Sequence, residues 1–129
     1  MGLPRSRRKR RVKYHPQLVV LRITSSPVYL AVARVVLGSD VPLQAVDVRR
    51  RLGELGVEVS LSYVSSILHK LERWGVVRAY RDPSNGRLLW ATKGSEAARL
   101  LAAELQRQEA EAVLEVLKLG GLGEEGEEG

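Results

Sequence analysis

Apolar and polar positions along the chain alternate with periods that predict its elements. The run Leu18-Val-Val-Leu-Arg-Ile23 is short and apolar. A run of that length does not separate strand from helix; Pro16 favours a helix start and the branched residues favour a strand. From Ser26-Pro27 the signals agree, because Ser is a good N-cap and Pro suits the first helical position. That helix is expected to reach about Leu37 and stop at Gly38. A second helix follows Ser39-Asp40-Val41-Pro42. Its apolar residues Ala45, Val48, Leu52 and Leu55 are spaced 3, 4 and 3 apart, which makes one stripe. Asp47 and Arg49 to Arg51 fall largely outside the stripe, and Gly53 or Gly56 ends the helix. A third helix, capped by Ser60 or Ser62, has the stripe Leu61, Val64, Leu68 and Leu71, with Ile67 beside it. Ser62, Ser66, His69 and Arg73 line its opposite face, flanked by Tyr63, Ser65 and Lys70, and Gly75 ends it.

Beyond Gly75 the period changes. Val76 to Arg81 and Arg87 to Thr92 are short strand-like runs joined by Asp82-Pro-Ser-Asn-Gly86, the pattern of a β-hairpin. Thr92 is expected to cap a long helix reaching about Lys118, rich in Ala, Leu, Glu, Arg and Gln. No repeat of 20 to 50 residues is present.

The charge distribution adds a partner to this picture. The chain of 129 residues has a formal net charge of +6. Residues 1–13 hold seven basic residues and no acidic ones, and residues 14–92 hold ten basic and six acidic. Residues 93–118 are nearly balanced, and residues 119–129 hold four Glu and nothing basic. A positive field over the first two regions is the footprint of a polyanion binder. Sixteen of the 21 basic residues are Arg, the better side chain for bidentate phosphate and guanine contacts. Genomic bias or adaptation to heat, which the absence of Cys and a single Met fit, explains the Arg excess equally well.

Other chemistries find little support. Without Cys there is no disulfide, no thiolate nucleophile and no Cys-based zinc site. His15 and His69 are far apart, and no metal or other cofactor is expected. There is no Gly-rich phosphate loop, and caps or turns explain Asp40, Asp47 and Asp82, so no enzymatic activity is expected. No window approaches the roughly 18 to 20 apolar residues of a membrane span. A cytoplasmic, nucleoid-associated protein is the expectation.

The order helix, helix, helix, hairpin, long helix puts a face of small hydroxylic and basic residues on the third helix. Small side chains let such a helix approach a DNA groove, Ser hydroxyls bond phosphates or bases, and Arg or Lys supplies charge. Val59-Ser-Leu-Ser-Tyr-Val-Ser-Ser-Ile-Leu-His-Lys-Leu-Glu-Arg-Trp-Gly-Val-Val77 resembles the recognition-helix signature of winged helix-turn-helix regulators, with Leu68-x-x-Leu71-x-x-x-Gly75-Val76-Val77 as its second half. The turn Arg81-Asp-Pro-Ser-Asn-Gly-Arg87 and the closing Ala91-Thr92-Lys93-Gly94 are similar to those of MarR-like and PadR-like proteins. The resemblance covers about residues 26–118. It implies a mainly α fold with a small β-hairpin wing, in which Ser60, Ser62, Tyr63, Ser66 and Lys70 face the groove and Arg81 and Arg87 lie on the wing.

The residue pattern adds Ser65, His69, Arg73, Arg78 and Asn85 to the candidate DNA contacts. Arg49 and Arg50 suit either a phosphate contact or a solvated helix face, and a lone helical His suits a plain surface position equally well. Trp74 and Trp90 suit core or seam positions better than base stacking. Arg7, Arg8, Lys9, Arg10, Arg11 and Lys13 suit an arm on duplex DNA or a solubilising tail. The expected organisation is a disordered basic arm at 1–14, a winged helix-turn-helix domain at 15–92, a long helix at 93–118 and a disordered acidic tail at 119–129. The long helix is too apolar to stand free, so it is expected to pair, chiefly by its far half, with a second copy through Leu101, Leu105, Ala112, Val113, Val116 and Leu117, with packing back on its own domain as the alternative. A homodimeric regulator of double-stranded DNA is the leading reading. An architectural DNA-binding protein and an RNA-binding or protein-assembly module remain its alternatives. No effector-binding residue is legible.

Overall fold

The computed structural model describes residues 14–128, with side chains as far as Gly120. The element order is α1 (Pro16–Thr24), α2 (Pro27–Leu37), α3 (Ala45–Glu54), α4 (Leu61–Arg73), β1 (Val77–Arg81), β2 (Leu88–Thr92) and α5 (Glu96–Glu128). The architecture is a mainly α winged helix with a long C-terminal helix, as the resemblance implies. The expected arm residues Arg7 to Lys13 lie outside the described residues.

The ambiguous run is helical. His15 Nδ1 accepts the Gln17 N–H at 3.3 Å, and Pro16 occupies the first turn. Val19 and Ile23, four residues apart, are buried where α1 packs on α2 and α5. A β preference of a few branched residues is small beside that burial. Ser26 caps α2 through the Tyr29 N–H at 3.4 Å, and the two helices meet at 114°. No single described helix is long and apolar enough to cross a membrane.

Helix α3 starts at Ala45 rather than directly after Pro42, because Asp47 Oδ2 accepts the Gln44 N–H at 3.1 Å. Val48 and Leu52 are buried, whereas Leu55, the last residue of the expected stripe, is exposed just beyond the helix end. Gly56 and Gly75 adopt φ of +86° and +83° after α3 and α4, a left-handed turn that Gly makes without a Cβ clash.

Helix α4 buries Val64, Ile67, Leu68 and Leu71 completely. Strands β1 and β2 pair antiparallel in the register Val77↔Thr92 to Arg81↔Leu88. An extra bridge, Leu43↔Trp90, is made by two backbone bonds of 2.8 and 2.9 Å. It attaches the wing to the connection between α2 and α3. Trp90 is 1 % exposed and sits at the centre of this join.

Thr92 does not cap the last helix. Ser95 does, accepting the Ala98 N–H at 3.1 Å while its hydroxyl donates to the Gly75 carbonyl at 2.6 Å. One side chain thus closes the start of α5 against the end of α4. Helix α5 also continues past Lys118 into the segment expected to be disordered. Glycines and a run of Glu at a helix C-terminus both oppose helix there. In its favour, extension of an existing helix adds a hydrogen bond per residue without a new nucleus.

Candidate nucleic-acid interface

Helix α4 is anchored on one side by four fully buried aliphatic residues, which fixes what its other side presents. Ser62, Tyr63, Ser66, His69, Lys70 and Arg73 are all exposed, and Ser65 is half-buried. From Ser60 to Lys70 the helix and its cap hold no carboxylate. Ser60 is the N-cap, its Oγ accepting the Tyr63 N–H at 3.1 Å. That hydroxyl already has a structural task, so the positions on this face clear of capping begin at Ser62. His69 is exposed, yet its ring meets Trp90 edge-on, with centroids 4.9 Å apart. This contact ties the middle of α4 to the wing.

The wing turn is built around Asp82. Its Oδ1 accepts the Ser84 N–H at 2.9 Å and the Ser84 hydroxyl at 2.7 Å. These two bonds hold the Asp82 carboxyl below its ordinary value. The Asn85 side-chain oxygen accepts the Arg87 N–H at 2.9 Å, and the Arg81 guanidinium donates to the Gly86 carbonyl at 2.7 Å. Asn85 and Arg81, both expected to reach DNA, therefore use polar groups to hold the turn. Arg87 extends towards α3, with Nη1 3.5 Å from Gln44 Oε1. A notch of about 290 Å³ between wing, α3 and α4 is lined by Gln44, Val46, Leu61, Ser65 and Arg87, among others.

The expected contact residues therefore form two groups. Ser65 and Arg87 share the notch beside the N-terminal half of α4, on which Ser62 and Ser66 also lie. Arg73 and Arg78 line a separate cleft beyond its C-terminal end, where the Arg78 guanidinium also lies 5.7 Å from the Tyr80 ring centre. Arg49 and Arg50 are exposed on α3, and Arg50 pairs with Asp47 at 3.2 Å. Trp90 is core, as expected, while Trp74 lies at a seam, stacked on Tyr29 at 5.8 Å with Arg22 over its ring. The sequence reading missed Leu43 and Gln44. A single bridging residue is too short to show an alternating pattern.

Two of the expected interface residues on the long helix lie elsewhere. Leu101 and Leu105 are 0 % and 7 % exposed, packed within this chain's own core. Their contacts are taken up where α5 lies against α1 and α2. Ala112, Val113, Val116 and Leu117 are exposed.

This arrangement has a counterpart among solved structures. A crystal structure described as that of the predicted DNA-binding transcriptional regulator from E. coli superposes with a TM-score of 0.54. It shares 23 % identity and covers 70 % of this chain and 86 % of that one. The likeness is one of fold. No protein-family model and no curated protein matches the chain.

Proposed function

We propose that the chain is a homodimeric regulator that binds duplex DNA. The observation that carries this reading is the outward face of α4. It is held rigidly by a buried stripe, free of carboxylate from Ser60 to Lys70, and set beside a wing whose Arg87 points along the same notch as Ser65. In this reading Ser62, Ser66 and Lys70 enter the major groove, while Arg87 and the arginines of α3 hold phosphates. The likeness to the E. coli structure supports the fold on which this rests. The exposed far half of α5 supplies the surface for a second copy. A two-fold pair of recognition helices then reads a pseudo-palindromic site. No catalytic step is part of this reading, and the cytoplasm is the compartment it implies.

The face from Ser60 to Ser66 holds mostly Ser and Tyr rather than long donors. That favours, as a second reading, architectural binding with little sequence preference. Selection from a random duplex pool at two salt concentrations separates the two. Enrichment of a palindromic site, lost in Ser66→Glu with Lys70→Glu while far-UV circular dichroism is unchanged, is the expected result. Tight, salt-sensitive binding without enrichment establishes the second reading. Failure to bind duplex DNA at either salt overturns both.

A further inference from the structure

Asn85 is the only asparagine in the chain, and Gly86 follows it. Asparagine is scarce in heat-adapted compositions because its side-chain amide is thermolabile. The loss is an internal reaction. The backbone nitrogen of the next residue gives up its proton and attacks the side-chain carbonyl carbon, and ammonia leaves. Water then opens the cyclic succinimide to aspartate or to isoaspartate. A side chain on the next residue hinders the attack, and Gly has none. The glutamines precede Leu18, Ala45, Arg107 and Glu109, never a glycine.

The wing presents this pair to water. Asn85 and Gly86 are both exposed, and the space beside the Gly86 Cα is open. Asn85 Oδ1 accepts the Arg87 N–H at 2.9 Å. A donor on that oxygen stabilises the negative charge it gains when the carbon is attacked. The Arg81 guanidinium, 2.7 Å from the Gly86 carbonyl oxygen, adds a positive charge beside it. One contact opposes the reaction. The Gly86 N–H donates to the Asp82 carbonyl at 2.7 Å. While that bond lasts, the nitrogen keeps its proton and does not swing towards the side chain. The bonds from Ser84 to the Asp82 carboxylate, at 2.9 and 2.7 Å, hold the turn that maintains it.

We propose that Asn85 is a modification site, where loss of the amide is gated by the hydrogen bond from Gly86 to Asp82. Local opening of the turn releases the nucleophile. Aspartate at this position sets a negative charge between Arg81 and Arg87. Isoaspartate does the same and lengthens the main chain by one methylene. Both products reduce the attraction of the wing for phosphate. That consequence rests on the DNA-binding reading; the modification itself does not.

The test is incubation of the full chain at mildly alkaline pH, followed by mass spectrometry of the tryptic peptide 82–87. The same chain unfolded in urea is the reference. The unfolded chain is expected to convert at Asn85 at least about fivefold faster than the folded one. Asp82→Ala removes both bonds to Ser84 and is expected to accelerate conversion about fivefold in the folded chain, the worth of one net hydrogen bond. Ser84→Ala keeps the N–H bond and is expected to accelerate it less. Asn85→Asp is expected to lower duplex affinity severalfold and the salt slope by about one. The neutral Asn85→Ser is expected to stay within about twofold. The site is overturned if the unfolded chain loses no amide at Asn85. The gate is overturned if folded and unfolded chains convert alike, or if Asp82→Ala is no faster than the native chain. Gated conversion in a chain that binds no duplex leaves the site standing and overturns the proposed function. Equal duplex affinity of Asn85→Asp and Asn85→Ser overturns the charge consequence alone.

Discussion

The two halves of α5 belong to one helix and have opposite relations to their surroundings. From Ala97 to Leu105 the buried apolar residues lie within an arc of roughly 100°. Ala97, Ala98, Leu101 and Leu105 are between 0 % and 7 % exposed against the domain. Glu109 is the last residue to reach back, pairing with Arg34 at 3.3 Å. From Glu109 to Gly120 every residue is exposed, including Val113, Leu114, Val116, Leu117 and Leu119 at 56 % to 66 %. At 3.6 residues per turn, Glu111, Glu115 and Lys118 occupy an arc of roughly 60°, and the apolar residues from Ala110 to Leu119 span roughly 220°. A helix packed on one surface needs an apolar stripe of only about 100°. The near half thus has a neighbour within the chain for one stripe of its apolar surface, and the far half has none among the described residues. Hydropathy alone does not tell these cases apart. Burial is set by what lies opposite, not by the residue itself.

The largest expected effect tests the near half. Leu101→Ala removes a completely buried side chain. It is expected to lower unfolding stability by about 2 to 5 kcal/mol, read from the denaturant midpoint. A loss under about 0.5 kcal/mol would remove Leu101 from this chain's own core and erase the contrast. The far half is tested by Val113→Glu with Leu117→Glu. If the far half pairs with a second copy, the double variant sediments as a monomer at concentrations where the native chain is a dimer, and secondary structure is kept. An unchanged sedimentation profile separates the far half from self-association.

Ser95→Ala sharpens the point where the two regions meet the domain. It removes the cap of α5 and the bond to the Gly75 carbonyl. A loss of about 1 to 2 kcal/mol is expected, whereas Thr92→Ala, at the position the sequence suggested, is expected to cost less. The smallest effect lies in the wing. Asp82 is held below its unfolded value of 3.8 by the Ser84 N–H and hydroxyl. A carboxyl with a depressed folded value contributes stability above its unfolded value and loses it as pH falls through the folded one. The Ser84 amide resonance is therefore expected to titrate with a midpoint below 3.8. A midpoint at or above 3.8 would show that the turn does not use Asp82 in this way.

Much of the candidate site was legible for a local reason. The outward residues of α4 follow from the spacing of Val64, Leu68 and Leu71, because helical geometry places Ser62, Ser66 and His69 opposite them. The use made of each polar group was not legible. Ser60, one of two cap candidates in the sequence, is the cap, whereas Arg81 and Asn85 look like contact residues in sequence but hold the wing turn, through local backbone groups whose direction the turn conformation sets. Arg73 and Arg78 read as one set with Arg87, yet they line a different cleft.

The amino-acid sequence alone determined α2, α3, α4, the hairpin and the presence of a long final helix, because caps, glycines and periodicities act over a few residues. It also determined where positive charge concentrates. The tertiary structure decided that Pro16–Thr24 is a helix, that Leu43 joins the wing through Trp90, and that Ser95 rather than Thr92 opens α5. It also decided that Leu101 and Leu105 belong to the chain's own core. Each of these depends on contacts between residues distant in sequence, and their energies appear only when the chain is folded.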